Sequence, residues 1–170
     1  PTRDYSMPVP NILDTSALIN WPIDALDGGF SVIGQRSEVG RIAPERMLSI
    51  ETAEVKWISP SPESVQESAA IARKTGDLDG LSETDLHLLA LAIELGGHMH
   101  TDDYRLQNLC NSVGVRWSPV VSEGIKEVWN WEIRCSGCGT LVAGAEKTRP
   151  ASQGIGACAE CGSKLRVVKK

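Results

Sequence analysis

No stretch of this chain stays apolar long enough to cross a bilayer, and no leader-type pattern opens it. Those two absences exclude a helical membrane span and point to a cytoplasmic protein with no membrane partner. There is no internal repeat and no low-complexity segment, so the chain is not expected to be an array or a biased tail. It also lacks a phosphate-cradling glycine loop and a Ser-His-Asp arrangement, which removes two large enzyme classes. An overall excess of positive charge is missing too. The net charge is −5, which taken alone argues against a polyanionic partner.

What is present is a globular composition, 41% hydrophobic and 23% charged, over 170 residues. That length suits one ordinary domain plus a small one. Residues 1–6 are expected to lie outside the fold, with Met7 as the expected native start. The charge is unevenly spread. From residue 131 onward there are seven Lys/Arg against three Asp/Glu, a net of +4, while the preceding part has ten against nineteen, a net of −9. Such asymmetry suggests two jobs on one chain: the basic tail is a candidate anchor for a polyanion, and the acidic part either sits in solvent or collects cations.

Strand and helix signals alternate. Asn11 to Ile19 reads as a short buried strand that reaches an acid and turns into a helix. Gly28-Gly29 interrupts, and Phe30-Ser-Val-Ile33 is expected to be the next strand. Glu38 falls in a helix that Pro44 interrupts, and Glu54-Val-Lys-Trp-Ile58 alternates like a half-exposed strand. Ser61-Pro62-Glu63 starts a helix that Gly76 ends. Ser82-Glu-Thr-Asp85 opens a nearly all-apolar helix that Gly96-Gly97 ends. His98 to Asp102 is a brief strand, Tyr104 to Val113 a helix, and Val115 to Val121 a last strand. The fold class this predicts is α/β, with a mostly parallel central sheet between helix layers over residues 9–118. Residues 119–130 are the expected linker, and 131–168 a small cysteine-rich module.

Acids recur where strands end or helices begin: Asp14, Glu38, Asp85 and the pair Asp102 and Asp103. In an open α/β sheet the carboxyl ends of the strands line the ligand edge. Carboxylates gathered there repel one another unless cations sit between them, and an all-oxygen donor set suits Mg²⁺ or Mn²⁺. Bland readings stand beside this one. Asp85 can simply cap its helix, Asp102 and Asp103 can form a turn, and Glu38 can be solvated. Asp14 is harder to dismiss, because a charge inside Ile-Leu-Asp-Thr-Ser-Ala-Leu-Ile needs a partner. His98 and His100 share a strand face, where packing or solvent is the favoured role over metal binding.

Ile12-Leu-Asp-Thr-Ser16, Glu38-Val39, Leu81-Ser-Glu-Thr-Asp85 and Thr101-Asp-Asp-Tyr104 resemble the successive acidic motifs of the PIN-domain nucleases. The resemblance implies a parallel sheet between helices and Mg²⁺- or Mn²⁺-dependent hydrolysis of single-stranded RNA. By position it makes Asp14, Glu38, Asp85 and one of Asp102 and Asp103 the metal carboxylates, with Thr101 positioning the site through its hydroxyl. The residues Gly34, Gln35 and Arg36 depart from the apolar helix usual before the second motif.

The cysteines make a second centre. Cys135-Ser-Gly-Cys138 and Cys158-Ala-Glu-Cys161 are two C-x-x-C knuckles separated by 19 residues, a spacing suited to a zinc ribbon. Four thiolates with no open position form a structural Zn site, and so small a module needs the metal to fold. The alternatives are a redox pair or two disulfides. Cys110 reads as a core thiol. Around the knuckles lie Arg134, Lys147, Arg149, Lys164, Arg166, Lys169 and Lys170, with Trp129 and Trp131 just before them. Cations beside aromatic faces suit single-stranded RNA, although packing between domains is at least as good a reading for one of the tryptophans.

The nuclease motifs followed by a ribbon, joined through Trp129-Asn-Trp-Glu-Ile-Arg-Cys135 and with Lys74-Thr-Gly-Asp77 ahead of the third motif, resemble the NOB-type ribosome-maturation endonucleases in their compact archaeal form. That resemblance implies an endoribonuclease that forms the mature 3′ end of small-subunit rRNA within a precursor particle. A toxin-like PIN ribonuclease on other RNAs, or a non-catalytic RNA-binding assembly factor, are the competing expectations.

Overall fold

The computed structural model describes residues 7–125, 130–144 and 154–170. Among them, no helix is long and apolar enough to cross a membrane. Five short strands form the first sheet: β1 (Asn11–Leu13), β2 (Phe30–Ser31), β3 (Lys56–Trp57), β4 (His98–His100) and β5 (Trp117–Ser118). Their order is β3-β2-β1-β4-β5, and every pairing is parallel. The chain winds outward from β1 to β3, then crosses back to lay β4 on the other side of β1. This reversal opens a crevice at the carboxyl ends of β1 and β4, the place where such sheets bind ligands. Asp14 follows β1 and Thr101 follows β4.

Among the described residues, six α-helices cover the two faces. On one face, α4 (Pro62–Thr75), α5 (Glu83–Leu95) and α6 (Tyr104–Val113) pack over Ile12, Val32 and Met99. On the other, α1 (Thr15–Asn20), α2 (Ile33–Ile42) and α3 (Pro44–Ile50) pack over Leu13. Leu86, Leu88, Leu89 and Leu91 of α5 are buried, and each contributes about 1.5–3 kcal/mol by leaving water. Local rules set the helix ends. Ser61 caps α4 by accepting from the Ser64 N–H at 3.2 Å, and Ser82 with Asp85 forms a reciprocal capping box on α5. Pro44 divides α2 from α3 as expected, because the residue before a proline is pushed out of helical geometry.

Four strands are shorter than the sequence suggests: His98–His100 stops before Asp102, and only Trp117–Ser118 of the stretch 115–121 pairs in the sheet. Phe30–Ser31 stops because Val32 already serves as N-cap of α2 and Ile33 enters that helix, 56% exposed. Only Lys56–Trp57 of the stretch 54–58 pairs with β2.

The second sheet is antiparallel, ordered β7-β6-β8, with β6 (Trp131–Cys135), β7 (Leu141–Val142) and β8 (Leu165–Lys169). Its own core is minimal: among the described residues of this part, Ile133, Cys135 and Cys158 are the buried ones. It sits against the helices of the first sheet through Trp131. Gly76 ends α4 at φ 83°, and a Cβ there would lie 2.1 Å from the Trp131 carbonyl oxygen, so glycine is required both for the turn and for the approach. The Arg105 guanidinium lies 5.7 Å from the Trp131 ring centre. Beneath it the buried Asp77 accepts from Thr75 Oγ1 at 2.6 Å and Asn108 Nδ2 at 2.9 Å.

Candidate active site

Asp14 is buried at the head of the crevice, where it caps α1 by accepting from the Thr15 N–H at 2.7 Å. Its two oxygens are held from opposite sides. Gln35 Nε2 donates to Oδ1 at 2.6 Å, and the buried Thr101 hydroxyl donates to Oδ2. Gln35 is in turn held by the Thr15 hydroxyl, which donates to Oε1. Three elements therefore fix one carboxylate: the end of β1, the first turn of α2 and the end of β4. Gly34 makes the approach of α2 to α5 possible, since a Cβ there would meet Thr84 Oγ1 at 2.5 Å.

Asp14, Glu38, Asp85 and Asp103 line a single open cleft of about 790 Å³. They come from β1, α2, α5 and the cap of α6. Asp85 fills both roles that the sequence leaves open. Its Oδ2 accepts from Ser82 Oγ at 2.7 Å while the same side chain faces the cleft. Burial pushes Asp14 up to about 7, and the negative charges of Asp85 and Asp103 add to that, against the lowering effect of the Thr101 and Thr15 hydrogen bonds. Asp85 is also raised, first by burial and then by Asp103 and Glu38, with Ser82 opposing. Burial and mutual negative charge act on these carboxylates together, a repulsion that a bound cation would relieve. A donor set made only of oxygens fits a hard divalent ion.

The adjacent acids at the end of β4 part company. The Asp102 carboxylate turns away and accepts from the N–H groups of Val120, Val121 and Ser122, at 2.8, 3.0 and 3.1 Å, and from Ser122 Oγ. Those bonds hold it below the ordinary carboxylate range despite some desolvation. Asp102 is absent from the cleft lining, whereas Asp103 belongs to it and also caps α6 through the Arg105 N–H. His98 and His100 stack on each other with ring centres 4.7 Å apart. His98 Nε2 meets Ser118 Oγ and His100 Nε2 meets Asn11 Oδ1. Burial lowers both, His100 to about 4, and the two rings pack on each other along β4.

Two residues of the site escape the sequence reading, Gln35 buried behind the cleft and Arg41 in its lining. Gln35 was legible only as a polar residue where an apolar one is usual, and Arg41 carried no signal beyond following Glu38 by three.

In the second sheet the four thiols of Cys135, Cys138, Cys158 and Cys161 converge, all sulfurs lying within 4.8 Å of one another. Cys138 and Cys158 sulfurs are 3.8 Å apart and those of Cys135 and Cys161 are 3.3 Å apart, far beyond a disulfide bond. A tetrahedral ion with metal–sulfur bonds of ~2.3 Å sets its sulfurs ~3.8 Å apart, so the cluster fits zinc. The Gly137 and Cys138 N–H groups point at the Cys135 sulfur, at 3.3 and 3.4 Å. Cys110, by contrast, is buried alone in α6, its thiol pushed up to about 12 by burial.

The basic residues divide by strand register. Arg134 lies directly across from Arg166, so both share one sheet face, and period two extends that face to Lys164. Lys169 lies across from Trp131 on the opposite face, and Lys170 lines a separate groove between the end of α4 and the second sheet. All five are exposed. Arg134 is engaged with Glu132 and with the Gly139 carbonyl. Trp131 is spent at the junction with Gly76 and Arg105. Trp129, Lys147 and Arg149 lie outside the described residues.

Comparison with known proteins points the same way. A family profile described as the PIN domain of ribonuclease matches residues 12–95. Endoribonuclease Nob1 of Pyrococcus abyssi is 35% identical over 130 residues, covering 76% of this chain and 74% of that protein. Ribonuclease VapC1 of Thermoplasma acidophilum is 31% identical over 140 residues, 80% of this chain and 71% of the relative. The 20S-pre-rRNA D-site endonuclease NOB1 of Saccharomyces cerevisiae is 40% identical over 53 residues, 31% of this chain and 12% of the yeast protein.

Proposed function

The chain belongs to the Nob1-type PIN-domain endoribonucleases, and from that premise we propose that it cuts precursor small-subunit rRNA to form its mature 3′ end, acting in the cytoplasm. The observation that carries the chemistry is the cleft itself: four carboxylates from four separate elements, with Asp14 gripped by Gln35 and Thr101. Asp14, Glu38, Asp85 and Asp103 would hold Mg²⁺ or Mn²⁺. A divalent ion bound there supplies activation of water and neutralises charge at the phosphodiester. The chain's own part is positional. Thr101 and Gln35 keep Asp14 in one orientation, and the Ser82 cap does the same for Asp85. Hydrolysis with no covalent intermediate leaves a 3′-hydroxyl and a 5′-phosphate.

The cysteine cluster would carry a structural zinc that folds the ribbon. Arg134, Arg166 and Lys164 on one ribbon face, with Lys169 and Lys170, would meet the phosphates of single-stranded RNA. Trp129, Lys147 and Arg149 remain expected members of that surface on sequence grounds. The likeness to a VapC ribonuclease favours a second reading, a toxin-like nuclease acting on other RNAs. The four-cysteine ribbon weighs against it, being a feature such small toxins generally lack.

The test is cleavage of RNA spanning the mature 3′ end of small-subunit rRNA, with Mn²⁺ or with EDTA, by the wild-type chain and by Asp14→Asn. One cut at the boundary, lost in EDTA and in the variant, is the expected result. Cuts that ignore the boundary support the second reading. Tight binding without a cut, in naked RNA and in a precursor particle alike, makes the chain an assembly factor.

A further inference from the structure

A nuclease cleft lined by four carboxylates repels the substrate it must admit. Metal ions answer part of that repulsion, at the reacting phosphate. The flanking phosphates of the strand still enter a negative field, and something on the chain must hold them. Among the described residues, Arg41 is the sole cation that lines the cleft.

Its situation is unusual in this part of the chain. Arg36 is paired with Glu51 at 2.9 Å, and Arg46 donates to the carbonyls of Leu18 and Trp21. Those two guanidiniums are spent on holding α2, α3 and α1 together. Arg41 has no hydrogen bond or ion pair among the described residues. It follows Glu38 by three positions in α2, a spacing that puts the two side chains on one helix face and within reach of each other. Yet no ion pair forms between them. The guanidinium is exposed in the last turn of α2, where the helix dipole favours a cation, and the break at Pro44 fixes where that turn ends. Ser16, Ser37 and Thr84 add hydroxyls to the same lining.

Resting on the nuclease reading, we infer that Arg41 is the phosphate-binding residue of this cleft, gripping a backbone phosphate of the RNA strand next to the one that is cut. A planar guanidinium can donate two parallel hydrogen bonds to two phosphate oxygens, which fixes the strand's register as well as its charge. Its place beside Glu38 puts that grip at the α2 side of the cleft. Arg41 therefore acts on strand binding rather than on the bond that breaks.

The experiment has two arms, with the full chain and a single-stranded RNA oligonucleotide carrying the cleaved sequence. In the first, Arg41→Gln is expected to raise KM about tenfold, the worth of one charge-assisted contact, with kcat within about threefold of wild type. Arg41→Lys, which keeps the charge and loses the fork, should fall between. In the second, binding is measured in the inactive Asp14→Asn chain between about 50 and 200 mM salt. The slope of log affinity on log salt should shrink by about 0.7 with Arg41→Gln and recover with Arg41→Lys. An unchanged KM and slope overturns the inference, and so does a loss confined to kcat. If the wild-type chain cuts no RNA, the nuclease reading fails instead, and the salt slope still decides whether Arg41 touches phosphate. Thermal unfolding confirms that the exposed substitution leaves the fold intact.

Discussion

Gln35 donates its side-chain amide to Asp14 Oδ1 at 2.6 Å, across 21 residues of sequence and between α2 and the end of β1. It is fully buried, one of two buried residues in its helix. A polar side chain in so dry a place is stable only because both ends are used, the amide nitrogen on Asp14 and the oxygen on Thr15. Replacing it with leucine of similar size should leave the fold but free the carboxylate. Gln35→Leu is expected to weaken Mn²⁺ activation about 10- to 100-fold, as loss of a ligand's supporting partner does. It should also cost about 1–3 kcal/mol of stability for the stranded groups. Titrating cleavage with Mn²⁺ and unfolding with urea read the two effects separately. An unchanged metal requirement would reduce Gln35 to a packing residue.

Asp102 and Asp103 should respond oppositely. Asn caps a helix about as well as Asp, so Asp103→Asn removes charge from the cleft while keeping the cap on α6. Its cleavage rate is expected to fall about 100-fold or more, with little change in melting temperature. Asp102→Asn weakens the grip on residues 120–122 and should lower the melting temperature while cleavage stays within about tenfold. Rates and melting curves for the two variants, side by side, decide it. The reverse pattern would move the ligand role to Asp102.

The buried Asp14 makes a pH signature in metal-free protein. Its folded value of about 7 lies above the ordinary 3.8, so the unfolded chain releases this proton first. Stability from this group is fully present below about pH 4 and is lost as pH rises through 7, a loss on the order of 4 kcal/mol. In EDTA, the unfolding free energy of wild type relative to Asp14→Asn should therefore decline from pH 5 to pH 8. Mn²⁺ should reverse the decline at pH 8 in wild type alone. Urea titrations at each pH measure both, and a flat difference would mean that Asp14 stays ionised throughout.

Much of this protein was legible in its sequence, for local reasons. Ser61-Pro62 and Ser82-x-x-Asp85 specify helix starts through hydrogen bonds three residues long. Gly76 and Gly96 specify stops through a backbone angle that only glycine adopts easily. The two C-x-x-C knuckles announce a metal-sized turn by spacing alone. The order of Asp14, Glu38, Asp85 and the 102–103 pair carried the family resemblance, and the fold brings Asp14, Glu38, Asp85 and Asp103 to one cleft.

Only the tertiary structure decided the rest. Which of two adjacent acids enters the cleft depends on a segment some 18 residues later, whose three N–H groups draw Asp102 away. Gln35 becomes a site residue by a contact 21 residues distant, and in sequence it is merely polar. Trp131 looked fit to stack on a base until the fold laid Gly76 and Arg105 against it. Arg41 matters because Arg36 and Arg46 found partners and it did not. Helix caps and metal knuckles are closed within a few residues, so sequence determines them. The polarity of a cleft is the sum of side chains from elements far apart in the chain, and only folding brings them together.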